Sequence, residues 1–467
     1  MIYYSKLKVN VTRLTLFFTK LFAVVMASVL AVFALPGQAS AQSLIRDTEI
    51  EETLRAYTNP FIRAAGLNTA SVDLYLVNDR SLNAFVTRGQ NIFIHTGIIL
   101  EAKTPNQLKG VIAHEVGHIA GGHLVRRDRS NRSAYGAMLI AAGIGIAAIL
   151  AGEGQAGAAI LGGAQQFGMI EVLAYSRITE ASTDQAAAKY LEATGQSGKG
   201  LVQFFEKFRY QEVLSNARRN PYFRGHPLSS DRIDKLREIT GNSEYSDVKD
   251  TDAEIHALAM AKAKLIGFID APQTVFSKFP ASDQSKPARY ARAVANYRAA
   301  DLHNALKEIN SLIAEEPDNA YFYELKGQML YESGKGGRAI APLRQAVVLK
   351  PSAPLLEIAL GQALIEQDTP ESIDEAIKHL KSALRKENTN GFAWYQLSQG
   401  YDRKKEPALA RYAIAEQAFA VHDYQRARSF AARAQEGLMY YPTHQRRASD
   451  IIVIADTQLA RKKNRRH

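Results

Sequence analysis

The chain of 467 residues has no cysteine and a single tryptophan. Without thiols no disulfide braces one half against the other, and the absence of a cysteine after the apolar N-terminal stretch excludes a lipoprotein. Acids are missing from the first 41 positions, which carry Lys6, Lys8, Arg13 and Lys20, then the apolar run Leu21 to Leu35, then Ala39-Ser40-Ala41. That order predicts a secretory signal peptide over 1–41 cleaved before Gln42, with an uncleaved anchor as the alternative. Net charge is also scarce in the body. Of the formal +11, those four cations and five more at Arg461, Lys462, Lys463, Arg465 and Arg466 account for nine, leaving about +2. The basic tail reads as a solvated terminus in preference to a contact with anionic lipid. No stretch interleaves aromatic and basic residues in the manner of a nucleic-acid surface, so no nucleic-acid partner is expected. With 46% hydrophobic and 22% charged residues, collagenous and disordered classes are excluded, and the length suits two or three domains.

What is present is organised around His114-Glu115-Val116-Gly117-His118, an H-E-x-x-H pentad within an apolar helical stretch, Leu108 to Leu124. Thr104 as N-cap, Pro105 at the first helical position and Gln107 at the capping-box position mark its start. At about 100° per residue, His114 and His118 fall one turn apart on one face, where two imidazoles reach a single tetrahedral metal. Glu115 points just beside that face, a place suited to a general base acting on metal-activated water.

A further protein ligand is required. A third histidine ten residues after the first is excluded because position 124 is Leu. His123 is one residue early and, on a straight helix, lies about 140° from His118, pointing away. A carboxylate on a separate helix is the other solution. Glu180-Ala181-Ser182-Thr183-Asp184 lies in the helical run Glu171 to Ala193, which stops at Gly195. Glu180 and Asp184 share a face, so Glu180 can bind metal while Asp184 accepts from the outer nitrogen of a ligating imidazole. His226-Pro227, followed by Arg232, precedes a short helix starting at Ser230 or Asp231, a position from which a side chain can be aimed at a cleft.

H-E-x-x-H, then E-x-x-x-D about sixty residues on, then H-P with an arginine six residues after the histidine, resembles the gluzincin metallopeptidases that include HtpX and the CAAX prenyl protease. The signal peptide in front and the helical repeats behind resemble their periplasmic branch. The resemblance covers nearly the whole mature chain and implies a zinc metalloendopeptidase with one Zn²⁺ per chain. By resemblance His114, His118 and Glu180 bind zinc, Glu115 is the base and Asp184 orients a ligand. It also implies that His226, with Arg232 as its partner, steadies the oxyanion or occupies the fourth zinc position at rest. Members of that branch often carry cysteines, and this chain has none. The resemblance further implies misassembled outer-membrane proteins as substrates and the β-barrel assembly machinery as a partner. Two alternatives stay open: a chaperone or adaptor that acts through its repeats with a latent protease, and a membrane-embedded protease.

Around these motifs the expected fold is mainly α, a zincin-like α+β catalytic domain over 42–252 with a small antiparallel sheet, then an all-α repeat array. Leu44 to Ala65 reads as a helix with Ile50, Leu54, Tyr57 and Phe61 at helical spacing. Three short strands follow: Val72 to Leu76, Leu82 to Thr87, and Asn91 to His95. Gly89 to Thr96, with Gly89, Asn91, Phe93 and His95, is the candidate edge for pairing with an extended substrate, an interior strand being the alternative. Ser133 to Gly152 contains twenty uncharged residues, and a second uncharged run extends from residue 154 to Ile170. Its four glycines favour a lid or membrane-contact hairpin over 133–170 ahead of a spanning helix or plain core packing. Gly241 to Asp252 is a boundary, Ala253 to Ile266 a helix, and 253–287 a connecting region. From about Ala288 to 440 the text repeats with the 34-residue period of tetratricopeptide units. Gly327, Leu330, Ala339, Leu343, Ala346 and Pro351 define one copy. Ala305, Ile309, Leu312 and Pro317 repeat its second half 34 residues earlier. Gly361 and Leu364 to Ala383 form a third copy with an insertion at Asp368-Thr369-Pro370, and Trp394, Leu397 and Tyr401 begin a fourth. Ala413 to Leu438 reads as a capping repeat, with a C-terminal helix and basic tail over 441–467. Stacked pairs of this kind present a concave face to peptides or partner proteins.

Overall fold

The computed structural model describes residues 44–87, 89–123, 177–213, 226 and 229–464. The expected signal peptide, the 133–170 hairpin and the end of the basic tail lie outside those residues. Among the described residues no helix is long and apolar enough to cross a membrane.

The chain enters as a two-residue strand, β1 (Leu44–Ile45), so the first helix begins later than its apolar spacing suggests. Asp47 is extended and its carboxylate accepts from the Ile50 amide at 3.0 Å, which starts α1 (Thr48–Ala64). Strands β2 (Asp73–Val77), β3 (Ala84–Thr87) and β4 (Asn91–His95) complete a four-stranded sheet of order β1-β2-β4-β3. β2 and β4 run parallel, while β1 with β2 and β3 with β4 run antiparallel, so the sheet is mixed instead of antiparallel. The reason is the connection through Asn78 to Asn83, which carries the chain past the next position. The tight β3–β4 turn then returns β4 to lie beside β2.

The expected substrate edge is therefore corrected. β4 is paired on both sides, with Asn91 opposite Asp73 and Thr87, and Phe93 opposite Tyr75 and Phe85. Phe93 stacks on both of those rings at 4.9 and 5.0 Å. His95 is buried with its Nδ1 3.0 Å from Ser81 Oγ, and Gly89 sits in the turn at φ +89°. Among the described residues β3 has a strand partner on one side only.

On the opposite face of β4, Ile92 and Ile94 join a core built with Leu54 and Phe61 of α1, and Leu108, Val111 and Ile112 of the next long helix. After α2 (Thr96–Glu101), α3 (Pro105–Ala120) starts as its sequence predicts, with Thr104 Oγ1 accepting from Gln107 N at 3.3 Å. It ends at Ala120, four residues short of the apolar stretch. Nearly all of α3 is buried, packed between α1 and α5 (Lys199–Val213). Helix α4 runs through 177–193, and α6 (Ser230–Gly241) is capped by Ser229. A capping box of Thr251 and Glu254 opens α7 (Asp252–Ile269), and the short α8 (Pro272–Lys278) follows.

The repeats form antiparallel pairs: α9 (Lys286–Arg298) with α10 (Leu302–Glu315), α11 (Ala320–Glu332) with α12 (Gly336–Leu349), α13 (Pro354–Gln367) with α14 (Pro370–Lys386), and α15 (Gly391–Arg403) with α16 (Pro407–Ala420). The last pair is α17 (Tyr424–Gln435) with the longer α18 (Pro442–Asn464), so the terminal unit begins later than Ala413 and uses the C-terminal helix as its second member. Gly327 and Gly361 show why the period is visible. A Cβ on Gly327 would lie 2.4 Å from Leu343 Cγ, and one on Gly361 2.8 Å from Leu380 Cγ, so each glycine lets a helix close on its partner. The insertion falls in a turn: Asp368 is left-handed at φ 55°, Thr369 caps α14 and Pro370 is its first residue.

The first repeats sit against the catalytic part through polar contacts. Tyr290 Oη donates to Glu49 at 2.8 Å, Tyr321 Oη donates to Glu52 at 2.8 Å, and Arg46 Nη1 reaches Glu387 at 2.6 Å. Buried Lys264 of α7 lies 2.6 Å from Asp47, 3.4 Å from Glu49 and 3.6 Å from Glu324.

Candidate metal centre

α3 delivers His114 and His118 on one face, and α4 crosses close behind because a Cβ on Gly117 would sit 3.0 Å from Thr183 Cγ2. That approach brings in Glu180, and His226 comes from the segment before α6. His114, His118, Glu180 and His226 are all buried and turn one ligand atom each to a common point. His114 Nε2, His118 Nε2 and His226 Nδ1 are 3.2, 3.2 and 3.3 Å apart. Glu180 Oε2 lies 3.2 Å from His114 Nε2 and 3.1 Å from His226 Nδ1, and Glu180 Oε1 lies 3.4 Å from His118 Nε2. A regular tetrahedron with metal–nitrogen bonds of about 2.05 Å has edges of about 3.3 Å. With Glu180 Oε2 as the carboxylate corner five edges match, and the contact to His118 is made by the other carboxylate oxygen, Oε1. Mutual hydrogen bonds do not account for such a set, because four acceptor atoms at these distances lack the protons to satisfy every pair. The donor set of three imidazoles and one carboxylate suits a divalent transition ion such as Zn²⁺.

Around the ligands, Asp184 Oδ1 lies 3.0 Å from His114 Nδ1, the outer nitrogen. Arg232 grips Asp184 with Nε to Oδ2 at 2.7 Å and Nη2 to Oδ1 at 2.9 Å, and its Nη2 lies 3.3 Å from Glu180 Oε2. Its guanidinium also covers the Phe205 ring at 5.7 Å, and that ring meets His114 edge-on at 5.9 Å. Arg232 is thus placed on the carboxylates behind the ligands. Burial opposes ionisation of Glu180, yet His226 and His114 hold its carboxyl well below the usual range. Burial likewise opposes charge on Asp184, but His114 and Arg232 keep it low. Glu115 differs: burial pushes its carboxyl up, with only partial relief from His226 and His114. It is 0% exposed and neither oxygen has a hydrogen-bond partner among the described residues; His226 Nε2 is 3.5 Å away.

Residues 48–240 match the model of peptidase family M48. This part of the chain is an M48 metallopeptidase. The chain is similar to the β-barrel assembly-enhancing protease of Yersinia pestis, 23% identical over 335 residues that cover 70% of this chain and 68% of that protein. It is 23% identical to the protein of the same name from Escherichia coli (strain K12) over 363 residues, 76% of this chain and 72% of that one. Among solved structures, YrrB, a TPR protein with an unusual peptide-binding site, covers 36% of this chain and 88% of its own, with 14% identity and a TM-score of 0.31.

Of the residues named from sequence, the structure brings together His114, His118, Glu180, His226, Asp184, Arg232 and Glu115. It does not bring Gly89, Asn91, Phe93 or His95 to an open edge. His123 is corrected as well. Because α3 stops at Ala120 and Gly122 is left-handed at φ 62°, the chain folds back and sets His123 Nδ1 3.2 Å from His118 Nδ1. A straight-helix extrapolation missed this, and the signal that carries it is the Gly121-Gly122 pair just before the histidine.

Proposed function

We propose that the M48 domain is a zinc endopeptidase exported to the periplasm, with His114, His118 and Glu180 as ligands and His226 as a fourth ligand that keeps it latent. The near-regular tetrahedron of ligand atoms carries this reading, since His226 Nδ1 takes the corner that a catalytic zinc keeps open for water or substrate. Zinc, when bound, supplies the positive charge that polarises a peptide carbonyl and eases ionisation of a water. Glu115 takes the proton from the attacking water and later gives one to the leaving amine, and burial raises its carboxyl's affinity for the proton it takes. Asp184 holds His114 by its outer nitrogen, and Arg232 fixes Asp184 and Glu180 in turn. His226 leaves the fourth position in the active state, which opens it to water or substrate.

The similarity to β-barrel assembly-enhancing proteases supports misassembled outer-membrane proteins as substrates and the barrel assembly machinery as a partner. The signal-like N-terminus supports export. A blocked fourth position also favours a second role, in which the repeats bind clients while the protease rests. Metal content and casein hydrolysis distinguish these. His226→Ala is expected to retain one zinc per chain and hydrolyse casein faster than wild type, and Glu115→Gln to retain zinc and hydrolyse casein about 10²- to 10⁴-fold more slowly. Undiminished hydrolysis by Glu115→Gln rejects the base assignment, and an unchanged rate in His226→Ala rejects the latent state.

A further inference from the structure

Two of the ligands are histidines of one helix, yet their outer nitrogens meet different chemistry. His114 Nδ1 faces the Asp184 carboxylate at 3.0 Å. His118 Nδ1 faces another imidazole, that of His123, at 3.2 Å, with the rings edge to face at 82°. We infer that His123 is a positioning residue for His118, accepting the proton on His118 Nδ1 and so setting the tautomer and plane of that ligand. The inference rests on the metal-site reading above.

Two Nδ1 atoms 3.2 Å apart share a single proton. When His118 Nε2 gives its lone pair to a cation, the remaining ring proton is on Nδ1, so His118 donates and His123 accepts. The surroundings are built for this contact. Gly122 supplies the left-handed turn at φ 62°, and Gly121 leaves room for the ring, since a Cβ there would lie 2.3 Å from His123 Nε2. Thr183 is wholly buried on α4, one residue before Asp184, and its Oγ1 lies 3.1 Å from His123 Nδ1 and 2.7 Å from Thr179 O. Adjacent residues of α4 thus line the outer side of both pentad histidines, Asp184 as a partner of His114 and Thr183, whose hydroxyl donates to Thr179 O, packed against His123. The partners differ in charge: the carboxylate adds a negative charge beside the metal, the imidazole adds none.

The test uses the full chain with His123→Ala, His123→Gln and His123→Leu. Zinc affinity is read by competition with a chromophoric chelator, and the ligand field by the visible bands of the Co²⁺-substituted protein. His123→Ala is expected to weaken zinc about 10- to 100-fold and to shift the Co²⁺ bands. His123→Gln, whose side-chain oxygen can accept from His118 Nδ1, is expected to restore most of both. Should His123→Ala not fold, His123→Leu, which fills the same space and offers no acceptor, carries the test through a loss in the same direction. Wild-type affinity and unchanged Co²⁺ bands in His123→Ala overturn the inference. A wild-type protein that takes up neither metal overturns instead the site reading beneath it, for which His118→Ala is the reference for lost binding.

Discussion

Glu115 is fully buried and its oxygens lack hydrogen-bond partners among the described residues, a costly arrangement for a carboxyl with no catalytic task. Glu115→Gln keeps the shape and removes the proton acceptor, so a fall in kcat of about 10²–10⁴ with zinc content unchanged is the expected result in a peptidase assay. Asp184 acts at one remove. Its loss frees His114 to rotate and leaves the Arg232 guanidinium buried without its main partner, so Asp184→Asn is expected to weaken zinc about 10- to 100-fold by chelator competition. The pentad and the E-x-x-x-D spacing are legible in the sequence because each lies within one helix, where a rotation of about 100° per residue sets the faces. His123 was not legible by that rule, since its place depends on where α3 stops.

Among the elements, the repeat helices are the clearest case of sequence writing structure. Small residues at a 34-residue period coincide with helix crossings, and Gly361→Ala, forced against Leu380, is expected to lower stability by about 1–3 kcal/mol in chemical denaturation. Gly337 of α12 has nothing within 4 Å of an added Cβ, so Gly337→Ala should be neutral or stabilise by up to about 1 kcal/mol. The sheet was read less well. Alternation identified the three main strands but not their order, which is set by the connection after β2 and by the pairing with β1. The burial of β4 between two neighbours removes it as a docking edge.

Across the whole molecule, the polar junction at Lys264 ties the repeats to the catalytic part. The ammonium is 2% exposed among Asp47, Glu49 and Glu324, and these, with Tyr290, keep it charged against the cost of burial. Burial and the neighbouring acids push Glu324 up to about 7 despite Lys264. A carboxyl raised in the folded state favours folding below its ordinary value of 4.5, and that contribution is lost as pH rises towards 7. Wild-type unfolding free energy should therefore carry a decline between those pH values that Glu324→Gln lacks, measured by denaturant titration at each pH. Lys264→Met leaves three buried acids without their cation and is expected to cost about 3–5 kcal/mol, with the catalytic part and the repeats separating into two calorimetric transitions. The proposed zinc site is also tested at this scale. At a free zinc concentration of 100 times Kd, bound zinc stabilises the folded state by about 2.7 kcal/mol, so a chelator should lower the melting temperature of wild type but not of His118→Ala.

By itself the sequence determined the residue types of the candidate metal site, the helix that carries the pentad, the mainly helical fold and the period of the repeats. Each of these is written in spacings within about one helix or one repeat, where backbone geometry converts position into direction. The tertiary structure alone decided that His226 lies beside His114, His118 and Glu180, that His123 returns to His118, that β4 is an interior strand, and that α1 and α7 meet the first repeats through buried ions. Those outcomes depend on where elements stop and on contacts between residues far apart in the chain, which no local period encodes.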